Sequence, residues 1–322
     1  MSLAIKSLPT SLYESFPYQS RLKMGERILN LVNSSQYKKA KAIKKTSPSL
    51  SQHPGLPYFE AGDPSRPTIL FIHGFGDTKE SYLKQAVSLQ KDFHIIVPDM
   101  PGFGPNPRLK DFDYNASNVA ALIDEFCERL NLKKVHLVGN SMGGAISCFL
   151  YLHNPQRVSS ISLLDSAGFY YKEVHSILDE FLEGKNLFLV SEPSDYKNLF
   201  SRVFHKPPYI PKPVFDYLFE MIKGERDWYE KMVSDLIHNM ETVEEGIEKG
   251  LLLNDKIKDF NIPVQLIWGE KDSLFPIGTA KRIIKDAPKV SLQIIENCGH
   301  APHYERSKIC NKHIQDFITQ NS

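Results

Sequence analysis

A short apolar run, a G-x-S-x-G pentad and a helix follow one another without a break between Lys134 and Asn154, and no other stretch restricts the fold as strongly. Lys134 to Val138 reads as a buried strand, Gly139-Asn140-Ser141-Met142-Gly143 as the turn, and Met142 to Asn154 as a helix that Pro155 stops. A serine on so tight a strand-to-helix turn takes a strained backbone conformation. Its neighbours must be small, because the helix passes close to the strand. Gly139, Gly143 and Gly144 meet that requirement, and Ser141 is a candidate nucleophile.

The same alternation continues on both sides of the pentad. Short apolar runs at Tyr58 to Ala61, Thr68 to Ile72, His94 to Pro98, Ser159 to Leu164, Val264 to Trp268 and Ser291 to Ile295 read as further strands of a doubly covered parallel sheet. Between them, Val119, Leu122, Ile123, Phe126 and Leu130 line one helix face, and Cys310, Ile314, Phe317 and Ile318 line another. This predicts one α/β domain with a mainly parallel central sheet flanked by helices, made of residues 56–167 and 259–322. Residues 168–258 break the rhythm with helical patterning alone: Val214, Leu218, Met221 and Ile222 form one face ended by Gly224, and Trp228, Met232, Leu236 and Met240 form another. Their position after the pentad and before the last strands suits a helical cap, or lid, over the carboxyl ends of the strands, where open α/β sheets bind ligands.

With 322 residues, a formal net charge of +1 and 24% charged side chains, the chain reads as soluble and globular, without the basic excess of a nucleic-acid binder. The charge is unevenly spread. Residues 1–55 hold nine lysines and arginines against Glu14 and Glu26, with Leu22, Ile28, Leu29 and Val32 at near-helical spacing. This basic helical segment either packs on the main domain, the reading favoured here, or lies through residues 1–45 on an anionic membrane surface. No apolar run approaches the ~18 residues needed to span a bilayer, and the N-terminus lacks the apolar stretch of a secretory signal. The expectation is a cytoplasmic chain, any peripheral contact being with the inner face of a membrane. Cys127, Cys148, Cys298 and Cys310 are scattered through apolar patterns and read as reduced packing residues. No histidine or cysteine spacing suggests zinc, since His300 and His303 stand in a loop with no third ligand nearby, and no cofactor is expected.

A serine hydroxyl needs a base to take its proton, and the base needs a third group to hold its tautomer. Leu266-Ile267-Trp268-Gly269-Glu270-Lys271-Asp272 is a strand running into a turn that ends in a carboxylate. Asn297-Cys298-Gly299-His300 follows the next strand and puts a histidine in a loop. Ile72-His73-Gly74-Phe75-Gly76 closes an early strand with a glycine-rich turn, whose backbone N–H could join that of Met142 over Ser141 as an oxyanion hole. Asp165 also follows a strand and competes with Asp272 as the acid. His303 competes with His300. His73 and Asp99 read as structural braces of their turns.

The order Ser141, Asp272, His300, with the elbow in its strand-turn-helix setting, resembles an α/β-hydrolase-fold serine hydrolase from about Tyr58 to Phe317. Within that superfamily Pro98-Asp99-Met100-Pro101-Gly102, Gly139 to Gly144, Ile267-Trp268-Gly269 with Asp272, and Glu296 to His300 are similar to bacterial lipases and monoacylglycerol lipase-like esterases. The resemblance implies an α/β-hydrolase fold with a helical cap inserted after the sixth strand. It implies Ser141 as nucleophile, His300 as base, Asp272 as orienting acid, and the N–H groups of Phe75 and Met142 as oxyanion donors. The carbon-carbon bond hydrolases of the meta-cleavage type share the elbow but typically carry a tryptophan after the histidine, where Ala301 stands here. A non-catalytic ligand-binding protein on the same fold is the third reading. The aromatic load of residues 168–258, with Phe169, Phe181, Phe188 and Trp228 among it, points to a small-molecule or lipid ester with a sizeable apolar acyl group.

Overall fold

Residues 13–237, Met240 and residues 242–321 are described by the computed structural model. Six strands run parallel at its centre: β3 (Thr68–Ile72), β4 (His94–Pro98), β5 (Val135–Asn140), β6 (Val158–Leu164), β7 (Val264–Gly269) and β8 (Ser291–Ile295). Two antiparallel strands, β1 (Ile43–Thr46) and β2 (Pro57–Ala61), complete one edge, giving the order β1-β2-β4-β3-β5-β6-β7-β8. Every residue of β4, β5 and β7 is buried, which is why these strands read as continuous apolar runs rather than alternating ones.

Helices cover both faces. On one side α3 (Ala116–Arg129), α4 (Met142–His153) and α10 (Ile277–Asp286) bury Val119, Phe126, Ile146, Leu150 and Ile283 in the larger core. On the other, α2 (Leu83–Leu89) and α11 (Ser307–Gln320) bury Leu83, Leu89, Ile314 and Ile318. The chain leaves β3 toward β4 on one flank, while β5 lies on the other flank of β3. The carboxyl ends of β3 and β5 therefore border the topological switch point, where sheets of this type open a ligand crevice.

Five helices separate β6 from β7: α5 (Ile177–Leu182), α6 (Pro193–Val203), α7 (Lys212–Gly224), α8 (Arg226–Leu236) and α9 (Val243–Glu248). Tyr196 and Leu199 of α6 and Phe219 of α7 make a small core of their own with Val190. Tyr229 and Met232 of α8 instead join the main core, so the insertion is half independent and half moulded onto the domain beneath it.

The basic N-terminal segment is helical from Tyr18 to Ala40 (α1) and packs on the domain. A Cβ on Gly25 would stand 1.9 Å from the Pro213 carbonyl oxygen, so only glycine lets α1 lie this close to the start of α7. At its other end Tyr37 and Ala40 enter the core beside β2, and the Tyr37 hydroxyl donates to Glu80 at 2.7 Å. Lys41, with φ 49°, ends the helix and turns the chain into β1. The segment 1–55, read as wholly helical, thus also contributes a strand. A four-residue edge strand whose side chains all stay exposed, two of them lysines, has no apolar signature to read. No helix among the described residues is long and apolar enough to cross a membrane.

Candidate active site

Ser141 stands between β5 and α4 with φ 55° and ψ −122°, a conformation that costs an ordinary side chain about 1–3 kcal/mol. Backbone bonds hold it there. Its N–H donates to the Leu164 carbonyl at 2.9 Å, and its own carbonyl accepts from Gly144 at 2.9 Å and Ala167 at 3.0 Å. The helix approaches so closely that a Cβ on Gly139 would meet the Gly143 carbonyl oxygen at 2.2 Å, and one on Gly143 would meet that of Ile72 at 2.1 Å. Met142 is the first residue of α4, and its amide is one of those a helix leaves without an intrahelical acceptor. The turn after β3 lies alongside: a Cβ on Gly74 would be 3.3 Å from that of Ser141, which sets Phe75 next to the serine. The positive end of α4 and this turn face the same spot.

The two residues predicted to assist the serine meet each other. His300 Nδ1 lies 2.9 Å from Asp272 Oδ2, both buried, and Asp272 Oδ1 accepts the amides of Leu274 at 2.8 Å and Phe275 at 3.2 Å. Asn140, one residue before Ser141, donates from Nδ2 to the His300 carbonyl at 3.0 Å and so stitches the histidine loop to the elbow. His303 is turned away from this role: it stacks on Tyr82 with centroids 4.8 Å apart, and burial, with His300 nearby, pushes its imidazole down to about 3. Asp165 is wholly buried beside the pair, and burial together with the Asp272 charge holds its carboxyl well above the usual range. Asp165, Asp272 and His300 each have a nitrogen or oxygen atom within 4.8 Å of the others. Among the described residues this is the cluster whose chemistry could hold a metal, but His300 Nδ1, both Asp272 oxygens and Asp165 Oδ1 are already bonded to one another or to backbone amides.

His73 and Asp99 are the braces expected of them. The imidazole Nε2 accepts the Met100 amide at 2.8 Å, so its proton sits on Nδ1 and is donated to the Gly74 carbonyl at 2.8 Å. Asp99, fully buried, takes the Lys79 amide at 2.9 Å and its ammonium at 2.5 Å. Sequence reading missed Lys79, because nothing local marks a lysine whose partner lies twenty residues on.

The insertion closes the site from above. A cavity of about 870 Å³, its mouth included, leads to Ser141 and is lined by Phe75, Met142 and Phe149 from below and by Phe181, Phe188, Leu236 and Met240 from above. Among the described residues of that lining, Ser141 supplies the only polar side chain. Phe75 is clasped by Phe188, with centroids 4.4 Å apart, and by Tyr229 at 5.0 Å. The end of α6 reaches the histidine loop itself: the His300 amide donates to the Val203 carbonyl at 2.8 Å, and Arg202 joins Glu180 at 2.7 Å to the Ser273 carbonyl at 3.0 Å. A second pin lies opposite, where Arg108 grips Glu225 through two bonds of 2.8 and 3.0 Å and Trp228 donates to the Gly102 carbonyl at 2.9 Å. None of these long-range pins has a sequence signature.

Known proteins agree with this architecture. Residues 67–199 match the family described as the alpha/beta hydrolase fold. An uncharacterized hydrolase of Bacillus subtilis, YugF, is 31% identical, the alignment covering 80% of this chain and 91% of that one. The chain belongs to the α/β-hydrolase-fold family. Lipase 1 of Psychrobacter immobilis is 29% identical to this hydrolase over 84% of this chain and 83% of its own. Monoacylglycerol lipase ABHD6 of Bos taurus is 30% identical over 79% of this chain and 75% of its own. Among solved structures, a bacterial membrane phospholipase A superposes with a TM-score of 0.81 at 26% identity, covering 92% of both chains. A 2-hydroxy-6-oxo-6-phenylhexa-2,4-dienoate hydrolase of Rhodococcus shares the fold, with a TM-score of 0.71 at 21% identity. The hydrolase is thus of the lipase and esterase type.

Proposed function

We propose that this hydrolase cleaves carboxylic esters with a long apolar acyl group, monoacylglycerols among them, through Ser141, His300 and Asp272. The hydroxyl of Ser141 attacks the ester carbonyl while His300 takes its proton, and the imidazolium is held by Asp272. The tetrahedral oxyanion is received by the amides of Phe75 and Met142. His300 then protonates the departing alcohol, and water, activated by the same imidazole, releases the acid from the acyl-serine. Residues 168–258 act as the lid that forms the acyl pocket.

The observation that supports this reading is the composition of the cavity: its described lining is apolar apart from one hydroxyl, that of Ser141. A dienoate substrate carries a carboxylate, and among the described lining residues no cationic side chain would receive it. A panel of esters from acetate to long-chain monoacylglycerols, with a dienone-type acid beside them, tests it. Rising kcat/KM with acyl length and covalent labelling by a fluorophosphonate are expected. A folded protein that fails to label would instead be a ligand-binding member of the fold, and turnover of the dienoate alone would make it a carbon-carbon hydrolase.

The basic first segment is the surface through which the lipase is proposed to meet an anionic membrane. Leu31 and Val32 of α1 are 58% and 53% exposed, on a helix whose Arg27 and Lys38 are also exposed, while Gly25 is buried against α7. Residues 1–12 of that segment lie outside the described residues. Reversing Lys23, Arg27 and Lys38 to glutamate is expected to abolish sedimentation with phosphatidylglycerol vesicles and leave soluble-ester turnover intact. Unchanged sedimentation would leave α1 as a packing element only.

A further inference from the structure

Two carboxyl groups stand at the buried end of the sheet, and the mechanism above uses only one of them. Leu164 of β6 pairs with Ile267 of β7, so the next residue, Asp165, comes to lie beside the turn that carries Asp272. Asp165 is fully buried, with φ 43°. Its amide donates to the Ile267 carbonyl at 3.1 Å, and its Oδ1 accepts the Gly269 amide at 2.8 Å. Its Oδ2 is buried and receives no N–H. The same carboxyl, Asp272 and His300 each have an atom within 4.8 Å of the others.

Two bare carboxylates cannot share so small a buried space, and one proton removes the conflict. The donors around each decide where it rests. Asp272 accepts two backbone amides and the His300 imidazole, whereas Asp165 accepts one amide. Each N–H bond favours the ionised form of the group it serves, so Asp272 carries the charge and Asp165 keeps the proton.

We infer that Asp165 is a positioning residue, a neutral carboxylic acid whose Oδ2–H is donated to the Asp272 carboxylate and holds that carboxylate against His300. Burial, the Asp272 charge and the more distant Glu305 all act in this direction on the Asp165 carboxyl. The assignment explains why Oδ2 finds no donor: in this state it is itself the donor. It also excludes Asp165 as the acid of the triad, since one of its oxygens serves Gly269 and the other Asp272. The inference rests on the proposed roles of Asp272 and His300.

The test uses the full-length protein. The infrared spectrum of the wild type at neutral pH is expected to contain a buried carboxylic-acid C=O band that Asp165→Asn removes. That variant keeps both bonds, its amide N–H replacing the O–H, and kcat is expected to stay within about threefold of wild type. Asp165→Ala, which leaves the Asp272 oxygen without its donor, should lower kcat by about ten- to a hundredfold with KM unchanged. A folded Asp165→Asn as inactive as Asp272→Asn would overturn the inference by making Asp165 the working anion. A wild type without the acid band, or an Asp165→Ala with full kcat, would overturn it as well. The infrared band does not depend on turnover, so an error in the triad itself would appear separately, as full ester activity in folded Ser141→Ala.

Discussion

Around Ser141 there is no room for one more carbon: a Cβ on Gly139 would sit 2.2 Å from a carbonyl oxygen, and one on Gly144 would sit 2.2 Å from Ser166 Oγ. Above it, under Phe181, Phe188 and Leu236, the same molecule opens a cavity of about 870 Å³, its mouth included. The lower region is held by backbone hydrogen bonds and glycine contacts that fix single atoms. The upper one is made of amphipathic helices pinned at two corners by Arg108 and Arg202. Under the proposed function, reaction geometry and substrate choice are therefore built from different materials. Substitutions below should act on turnover for every ester, and those above should act on which ester is turned over.

The largest break is below. Ser141→Ala or His300→Ala is expected to lower kcat by about a millionfold for short and long esters alike, with the thermal midpoint little changed. Loss of activity toward long esters only would erase the distinction between the two regions. Next, Leu236→Trp, which fills the upper cavity, should reduce kcat/KM for long-chain esters by about tenfold or more while acetate esters stay within about twofold. Equal losses for both would mean that the cavity does not receive the acyl chain. The pins between the regions are worth less. Arg202→Gln releases Glu180 and Ser273, and since that pair is partly exposed the expected loss is about two- to fivefold in kcat, read by steady-state kinetics.

At neutral pH the last effect vanishes, because it is on stability and appears only in acid. The folded protein keeps His303 neutral down to about pH 3, while an unfolded imidazole takes its proton near 6.5. The stabilisation this provides is complete above about pH 6.5 and is lost as pH falls toward 3, by up to about 1.4 kcal/mol per pH unit. His303→Phe, which keeps the stacking on Tyr82, should remove that slope from the urea midpoint and leave neutral pH unaffected. An unchanged slope would show that His303 is not held neutral.

The parts of the molecule that sequence reading reached are those whose cause is local. The strands are visible because both sheet faces are covered and the runs are apolar throughout, and the elbow because three glycines must fall within six residues of the serine. Asp272 and His300 are visible because each stands in a turn directly after a strand. What stayed hidden depends on register or on distance along the chain. Asp165 meets Asp272 only because Leu164 pairs with Ile267, a match that neither strand records alone. Gly25 needs to be glycine only because of Pro213, nearly two hundred residues later. β1 hides because an exposed edge strand has nothing apolar to show.

The bond between the His300 amide and the Val203 carbonyl has a bearing on traffic. An insertion that rose there would draw the loop of His300, the proposed base, with it, so it cannot lift at that corner and leave that loop in place. The corner behaves as a fixed post, whereas the opposite rim, where Leu236, Ile237, Met240 and Leu251 border the cavity, is held through side chains of α8, Asp235 accepting the Tyr114 amide at 3.1 Å and Lys231 donating to the Phe112 carbonyl at 3.1 Å. For the proposed ester, the acyl tail would lie under the rim held by side chains, and the ester bond would lie beside the post held by backbone.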